Sequence, residues 1–344
     1  MLKWYEEVRN DDSCIIGSRV RLARNWDEYR FPNRLDDEEA ERMIRRLKDK
    51  LRDLPERDGR DYEYSDLLRM PEAERSAMRE RKLLNKTLAE KKTPGGIIWS
   101  EDEKVSIALN ADDHIRMQVL SAGSDLEGCW ERANALDDYV NEKIYYAFSP
   151  KYGYLTSYPT NVGCGMRASL TLHLPSLAST RRFTEFIGAM ARFGCGVRGI
   201  YGRNTENIGD LYEVFNQKTL GLTEKEIMDR VTYVAGQITD QEKQIRESTL
   251  EKHRLMREDE SAKAYGVLRY ARKLSIKEAM TYLSHLRAGI ADGLLVPAAD
   301  VSIYHIMMEV QPAVLALRAN RPMEQEELEA LRARRIQEML PELQ

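Results

Sequence analysis

Two arginines at alternate positions near the N-terminus are the first residues of this chain that could do chemistry. Arg19 and Arg21 follow the apolar pair Ile15 and Ile16, which is typical of a strand. Side chains two residues apart on a strand share a face and lie about 7 Å apart. Guanidinium groups at that distance repel each other unless an anion bridges them. The pattern therefore predicts either an anion-binding face or a solvated edge strand.

A third arginine stands just beyond a turn-rich loop. Residues 159–165 read PTNVGCG, and Arg167 precedes leucines at alternate positions, Leu170, Leu172 and Leu174. Two glycines around one residue let the backbone bend and come close to a neighbour. The planar fork of an arginine beyond such a loop suits an oxyanion. An ordinary turn with a surface arginine is the alternative interpretation.

A fourth arginine closes a polar cluster at the end of a predicted strand. Residues 105–109 alternate as a half-buried strand, and residues 110–116 read NADDHIR. Asp112, a second carboxylate and an imidazole thus lie beside Arg116 at a strand end, where functional groups often gather. The alternative is that Asp112 only caps a turn.

Composition narrows the class of protein. A length of 344 residues predicts two domains, or one large domain with an appendage. The chain is 42% hydrophobic and 32% charged, which predicts a real core and a polar surface, and its formal net charge is −4. The small net charge gives no reason to expect nucleic acid or a membrane as partner, and no apolar run is long enough to span a bilayer. The four scattered cysteines form no CxxC pair, the histidines show no metal spacing, and the N-terminus lacks the apolar core of a signal peptide. We expect no bound metal ligated by the chain itself and a cytoplasmic location.

The elements that must position these residues combine strands and helices. Apolar residues at helical spacing predict helices within 37–92 and one long helix over 125–148. Strands are predicted around the arginines, and from residue 224 onward the pattern is almost purely helical. We therefore predict an α+β fold in two parts, a catalytic domain over 1–245 and a C-terminal helical domain over 246–344.

Four short motifs, taken together and in order, resemble a known family. They are SRVRLAR at 18–24, DHIR at 113–116, PTNVG at 159–163 with RAS at 167–169, and RGIYG at 198–202. This arrangement is similar to the catalytic domain of the guanidino phosphotransferases, the phosphagen kinases that include creatine and arginine kinases. The helical C-terminal region resembles one branch best, the bacterial protein arginine kinases, and the chain resembles a divergent member of that branch. The resemblance implies a large antiparallel sheet flanked by helices, as in the phosphagen kinase and glutamine synthetase-like catalytic domain.

The resemblance also implies a function and a set of site residues. ATP with Mg²⁺ would be the phosphoryl donor, and exposed arginines of proteins would be the acceptors. The residues that the family uses to hold the ATP phosphates correspond to Arg19, Arg21, Arg116, Arg167 and Arg198. Fixed guanidinium donors stabilise the charge of a transferring phosphoryl group, and no Walker A sequence is present to do this instead.

The residues for the acceptor guanidinium depart from the family pattern. The first family glutamate corresponds to Asp112, which keeps the carboxylate on a shorter side chain. The second corresponds to Arg203, a reversal of charge, and Glu206 keeps a later acid of the same turn. Tyr158 stands where the family has its active-site cysteine. The catalytic candidates are thus Asp112 and Glu206.

Three interpretations follow from this mixture. The first is a working protein arginine kinase. The second is a nucleotide-binding pseudokinase with a regulatory or scaffolding role, which Arg203 and Tyr158 favour. The third, a small-molecule arginine kinase, fits the C-terminal helical region less well.

The resemblance also implies partners and a regulatory site. It implies an activator protein, a ClpC-type unfoldase–protease and a homodimer. A phosphoarginine-reading motif of the branch, RDxxRA, corresponds to residues 328–333, where only Arg332 and Ala333 match.

Overall fold

The chain forms two compact units, and each contains segments that are distant in sequence. The computed structural model describes residues 1–8, 14–201, 207–321 and 323–344. The first unit comprises Met1–Trp4, Ser18–Ser169 and Phe215–Val231, and the second comprises Tyr5–Gly17, Leu170–Val214 and Thr232–Gln344. Within these residues, no helix is long and apolar enough to cross a membrane.

Ten strands are present in the described residues. They are β1 (Ile15–Arg24), β2 (Tyr62–Asp66), β3 (Gly96–Ser100), β4 (Val105–Leu109), β5 (Ile115–Ala122), β6 (Phe148–Ser149), β7 (Gly153–Tyr154), β8 (Met166–His173), β9 (Cys195–Gly199) and β10 (Leu211–Asn216). Eight of them form one sheet in the order β2-β3-β4-β5-β1-β8-β10-β9, and β6 pairs with β7 in a small hairpin. The register is antiparallel through β2, β3, β4 and β5, with Ile97 opposite Ala108 and Ile107 opposite Met117. The predicted large antiparallel sheet is confirmed.

The helices lie before, between and after these strands. They are α1 (Asp37–Lys50), α2 (Leu54–Asp58), α3 (Glu72–Glu80), α4 (Lys86–Ala89), α5 (Leu126–Lys143), α6 (Pro175–Ala178), α7 (Phe183–Ala189), α8 (Glu224–Tyr270), α9 (Ile276–Ala291), α10 (Ile303–Glu309), α11 (Pro312–Ala319) and α12 (Gln325–Met339). Non-helical angles at His253, φ −139° and ψ 37°, divide α8 into two helices. The predicted helical C-terminal region is confirmed.

The long helix predicted over 125–148 ends earlier, at Lys143. The next residues instead pair with the chain that leaves β1, because the Asp27 amide donates to the Tyr145 carbonyl at 3.0 Å and the Ala147 amide donates to the Asn25 carbonyl at 2.8 Å. Local spacing predicted the apolar stripe of α5, but this tertiary pairing decides where the helix stops.

The C-terminal helices are built by capping and buried polar contacts. A capping box at Ser275 and Glu278 begins α9. Arg332 of α12 is buried, and its guanidinium donates to the carbonyls of Val310 at 3.0 Å and Leu274 at 2.9 Å. The matching arginine of the RDxxRA stretch is therefore engaged in holding helix ends together.

Candidate functional site

The first two candidate arginines lie on one face of β1. Arg19 and Arg21 are half-buried, while the intervening Val20 and the following Leu22 are fully buried. This is the alternation expected of a strand with one face in the core. The prediction that Arg19 and Arg21 share a face is confirmed.

The neighbouring strand β8 brings Arg167 to the same face. The Ala23 amide donates to the Gly165 carbonyl at 2.9 Å, and Arg19 Nε donates to Ser169 Oγ at 3.2 Å. These two contacts lie on either side of Arg21 on β1 and of Arg167 on β8, so the two arginines lie near each other on adjacent strands. Residues directly opposite on antiparallel strands have Cβ atoms about 5 Å apart, and like charges there are destabilising unless an anion bridges them.

Arg116 on β5, the other neighbour of β1, completes this group. Its side chain is 7% exposed, and its Nη1 is buried without a hydrogen-bond partner among the described residues. Burial lowers the pKa of Arg116 to about 10; the nearby Asp112 carboxylate opposes this shift, and the Arg19 cation adds to it. A charged, buried donor without a protein acceptor is costly and fits a site that receives an anion.

We call Arg19, Arg21, Arg116 and Arg167 the arginine face. These side chains come from three adjacent strands, β5, β1 and β8, and all four arginines belong to the first unit. Arg167 also lies over the Phe215 ring, with Cζ 5.3 Å from the centroid, which helps to fix its guanidinium. The arrangement can bind a polyanion.

The turn between β4 and β5 presents Asp112 beside the arginine face. Asn110 has a left-handed φ of 54°, and its amide donates to the His114 carbonyl at 2.8 Å, which closes the turn. Asp112 is half-buried, and Asn85 Nδ2 approaches its carboxylate at 3.5 Å, a long hydrogen bond. Its carboxylate also acts electrostatically on Lys91 and Arg116. Asp112 is thus placed to meet a cationic group.

The other two polar residues of this turn are occupied by the fold. Asp113 accepts hydrogen bonds from Asn25 Nδ2 at 2.7 Å and from the Ser157 amide at 2.6 Å, and burial raises the pKa of Asp113. His114 Nδ1 accepts from the Trp26 amide at 3.0 Å, so its proton lies on Nε2, which donates to the Arg30 carbonyl at 2.9 Å. Burial lowers the pKa of His114 to about 4. Asn25 is a positioning residue that the sequence reading missed, because no local signal marks it.

The glycine loop before β8 approaches the protein's own backbone. Gly163 and Gly165 have positive φ angles of 117° and 66°. A Cβ on Gly165 would lie 2.6 Å from Arg24 Nη1, and one on Gly163 would lie 2.7 Å from the Thr219 carbonyl oxygen. Glycine is therefore required here by close packing of the chain.

Tyr158 lies in the loop that reaches the Asp112 turn. It directly follows Ser157, whose amide contacts Asp113, and its side chain is 53% exposed. Cys164 of the same loop is buried, and burial raises its thiol pKa, which disfavours the thiolate. Cys164 is therefore a poor substitute for a reactive active-site cysteine.

Arg198, the fifth candidate arginine, belongs to the second unit. It lies on β9, and its Nε and Nη2 donate to Glu213 Oε2 at 2.8 and 2.5 Å. Glu213 was not predicted from the sequence, and its place on β10, next to β9 in the sheet, explains the pairing. The predicted Glu206, like Arg203, falls outside the described residues.

A magnesium ion fits this site only as part of a nucleotide. The described residues contain no group of three His, Cys, Asp or Glu side chains that could hold a metal ion. Mg²⁺ keeps several waters and often binds through substrate phosphates, which the arginine face is suited to hold. The guanidinium groups of the arginine face therefore fit a ligand that carries phosphates, and a metal ion could arrive bound to them.

Solved structures with the same fold are phosphagen kinases. The duplicated taurocyamine kinase from Schistosoma mansoni, with bound transition-state-analogue components, matches with a TM-score of 0.60 at 24% identity, covering 68% of this chain and 34% of that one. Lombricine kinase matches with a TM-score of 0.58 at 21% identity, covering 73% of this chain and 70% of that one. The chain thus spans about a third of the duplicated enzyme. These likenesses define the class of fold, that of the guanidino phosphotransferases.

Family models and curated relatives identify the family within this class of fold. The model of the ATP:guanido phosphotransferase C-terminal catalytic domain matches residues 42–245, and that of the protein-arginine kinase McsB C-terminal domain matches residues 254–344. The protein-arginine kinase of Bacillus velezensis is 38% identical over 342 residues, covering 98% of this chain and 93% of that protein. That of Halothermothrix orenii is 37% identical over 313 residues, covering 91% of this chain and 88% of that protein. The chain belongs to the protein-arginine kinase family, as the sequence motifs predicted.

Proposed function

We propose that this chain transfers the γ-phosphoryl group of MgATP to arginine side chains of proteins. The observation that carries the proposal is the arginine face, at one side of which Arg116 Nη1 is buried without a hydrogen-bond partner in the described part of the chain. Its curated relatives, named protein-arginine kinases over nearly the whole chain, support the same activity.

In the proposed reaction the cations bind and stabilise the phosphates. Arg19, Arg21, Arg116 and Arg167 hold the polyphosphate. Arg198 is proposed as the fifth ATP-binding arginine from the family resemblance. Because these groups are fixed before the reaction, the charge spreading over the phosphoryl oxygens meets donors that need not reorganise.

Asp112 acts on the acceptor. Its carboxylate orients the incoming guanidinium and takes the proton that the attacking nitrogen gives up. That nitrogen forms a bond to the γ-phosphorus, and the bond from phosphorus to the bridging oxygen breaks as ADP leaves with the electron pair. Glu206 is proposed as the second carboxylate of the acceptor site.

A pseudokinase remains the second candidate function because of one specific observation. Arg203 occupies the position of a family glutamate, and a cation there opposes a cationic substrate by about 4 kcal/mol at 4 Å and an effective dielectric of 20. The relatives named as kinases favour the enzyme.

The test is phosphoryl transfer to a disordered basic protein. Wild-type protein is incubated with MgATP and casein, and acid-labile phosphoarginine is measured by mass spectrometry. Arg203→Glu and Tyr158→Cys are run beside it, and Arg116→Met serves as the inactive control. The proposal expects product with wild type and none with Arg116→Met.

The outcomes separate the two functions. Product formed by Arg203→Glu but absent from wild type would identify a pseudokinase with a single lesion. If wild type binds MgATP but neither wild type nor the Arg203→Glu and Tyr158→Cys variants yield phosphoarginine, the kinase proposal is rejected.

We extend the proposal to the organisation of the chain and its setting. A division at 245/246 is supported by the two family models, which end at 245 and begin at 254. A cytoplasmic location is supported by the need for ATP and by four cysteines that are free thiols. An activator protein, a ClpC-type unfoldase–protease and a homodimer are proposed from the family resemblance, and co-purification with light scattering tests them.

A further inference from the structure

Helix α4 begins beside the turn that presents Asp112. Leu84 and Leu88, which stand on either side of Asn85 in the sequence, belong to one hydrophobic core cluster with Ala111, the residue before Asp112. All of these residues lie in the first unit. Because close-packed cores hold their elements in fixed positions, the shared core sets the distance between Asn85 and Asp112.

The loop after α4 is tied to the same turn. Asn110 Nδ2 donates to the Pro94 carbonyl at 2.7 Å in a buried contact. A Cβ on Gly95 would lie 3.3 Å from Lys91 Cδ, so the stem of this lysine packs against the loop. The turn that carries Asp112 is therefore held both by the start of α4 and by the loop that follows this helix.

Asn85 uses both ends of its side-chain amide. Its Oδ1 accepts from the Leu88 amide at 2.9 Å and so caps the start of α4. Its Nδ2 lies 3.5 Å from Asp112 Oδ2. A backbone amide can only donate, so the atom that meets Leu88 must be the oxygen, and the nitrogen must face the Asp112 carboxylate. The helix cap thus decides which end of Asn85 reaches the turn.

A neutral donor suits a carboxylate that has to bind a cation. The Asp112 carboxylate also acts electrostatically on Lys91 and Arg116, and a close ion pair with either would offset the charge that attracts an acceptor guanidinium. The Asn85 amide can orient the carboxylate and leave its charge in place. Its contact of 3.5 Å is long, and hydrogen bonds in active sites often tighten only when substrate is bound.

We propose that Asn85 is a positioning residue of the phosphoryl-transfer reaction, whose side-chain amide holds the Asp112 carboxylate toward the acceptor guanidinium. The inference rests on the proposed function, since that function assigns the acceptor to Asp112. Because Asn85 acts through Asp112, replacing it should affect the acceptor and leave the nucleotide unaffected.

Asn85→Ser tests this because it separates the two contacts of the residue. Serine keeps a cap oxygen for the Leu88 amide but has no second polar atom to reach Asp112. Since a misplacement of about 1 Å can cost about 100-fold in rate, we expect kcat for casein to fall about tenfold or more, with the KM for MgATP changed less than about twofold. Thr87→Ala, at an exposed position of the same helix, is the matched control and should keep the wild-type kcat.

Acceptor binding gives a second readout that needs no turnover. A synthetic peptide with one arginine is titrated calorimetrically in the presence of MgADP. Asn85→Ser should bind this peptide about fivefold more weakly than wild type or Thr87→Ala, which corresponds to the loss of one hydrogen bond. In an Asp112→Ala background, Asn85→Ser should cause no further loss of affinity, because the group through which it acts is already gone.

The outcomes separate this inference from the proposed function. A kcat and a peptide affinity of Asn85→Ser that both stay within twofold of Thr87→Ala would overturn the positioning role and leave the kinase proposal intact. A loss of affinity that persists in the Asp112→Ala background would also overturn it. If wild type binds the peptide without ever forming phosphoarginine, and Asn85→Ser weakens that binding, the positioning role stands and the kinase proposal is rejected. A wild type that binds no peptide would reject both.

Discussion

Arg24 and Arg116 are both buried arginines of the first unit, yet their surroundings differ completely. Arg24 is 1% exposed and uses all three nitrogens: Nε and Nη2 donate to Asp137, and Nη1 donates to the carbonyls of Ala23 and Cys164. Its guanidinium also stacks on the Tyr154 ring at 3.6 Å. Arg116 has a buried Nη1 without a partner among the described residues.

This difference in hydrogen-bond partners indicates that Arg24 stabilises the fold and that Arg116 is available to bind a ligand. A buried charge without hydrogen-bond partners costs stability, so its retention points to an anion that binds there. Arg24 already has its anion, Asp137. The two residues therefore predict opposite results when each is replaced.

The largest expected effect is on stability at Arg24. Arg24→Ala would leave the Asp137 carboxylate buried without its cation, and we expect a loss of about 3–5 kcal/mol in the free energy of unfolding. Urea unfolding followed by circular dichroism measures this. A loss below about 1 kcal/mol would mean that the pair does not hold the first unit together.

This contrast between the two arginines could not be predicted from the sequence. Strand alternation around Arg19 and Arg21 predicted their shared face, and the motif order predicted the sheet, because both are local or family-wide patterns. Arg24 and Arg116 look alike in the sequence, since the Asp137 that pairs with Arg24 lies 113 residues away. Asn25 lies 88 residues from Asp113 and Glu213 lies 15 residues from Arg198, so these pairs are not visible in local spacing either. Contacts in the folded protein decide which arginine pairs with a protein carboxylate, and these contacts cannot be predicted from local spacing.

The second effect is on catalysis at Arg116. Removing one preorganised donor to a developing oxyanion costs about 10²–10³ in rate, so Arg116→Met should lose that factor in kcat for casein phosphorylation. Its free energy of unfolding should stay equal to wild type or rise, because the buried Nη1, which has no hydrogen-bond partner among the described residues, has been removed. A folded Arg116→Met variant with wild-type kcat would show that Arg116 does not contribute to catalysis.

A third prediction concerns the pH dependence contributed by His114. Its pKa is about 4 in the folded protein against an ordinary 6.5, so the unfolded chain binds the proton first as the pH falls. The contribution of His114 to stability is therefore complete above pH 6.5 and is lost as the pH falls from 6.5 to 4. The stability lost by pH 5 is about 2 kcal/mol.

His114→Gln isolates this contribution, since it cannot titrate. The difference in unfolding free energy between pH 7 and pH 5 should be smaller in His114→Gln than in wild type by about 2 kcal/mol. Equal differences would show that His114 is not held neutral in the fold.

The smallest expected effect is at Ser169, which accepts from Arg19 Nε. Ser169→Ala should weaken MgATP binding about fivefold, because a typical hydrogen bond contributes about 1 kcal/mol. Calorimetric titration measures this. Unaltered affinity would show that Ser169 does not position Arg19 for the nucleotide.

The central claim is that the arginine face binds the polyphosphate of ATP, and calorimetric titration with MgATP tests it most directly. Wild type should bind one MgATP per chain, and Arg116→Met should bind at least tenfold more weakly. Wild type that gives no binding heat, or an Arg116→Met variant that binds as tightly as wild type, would contradict the account.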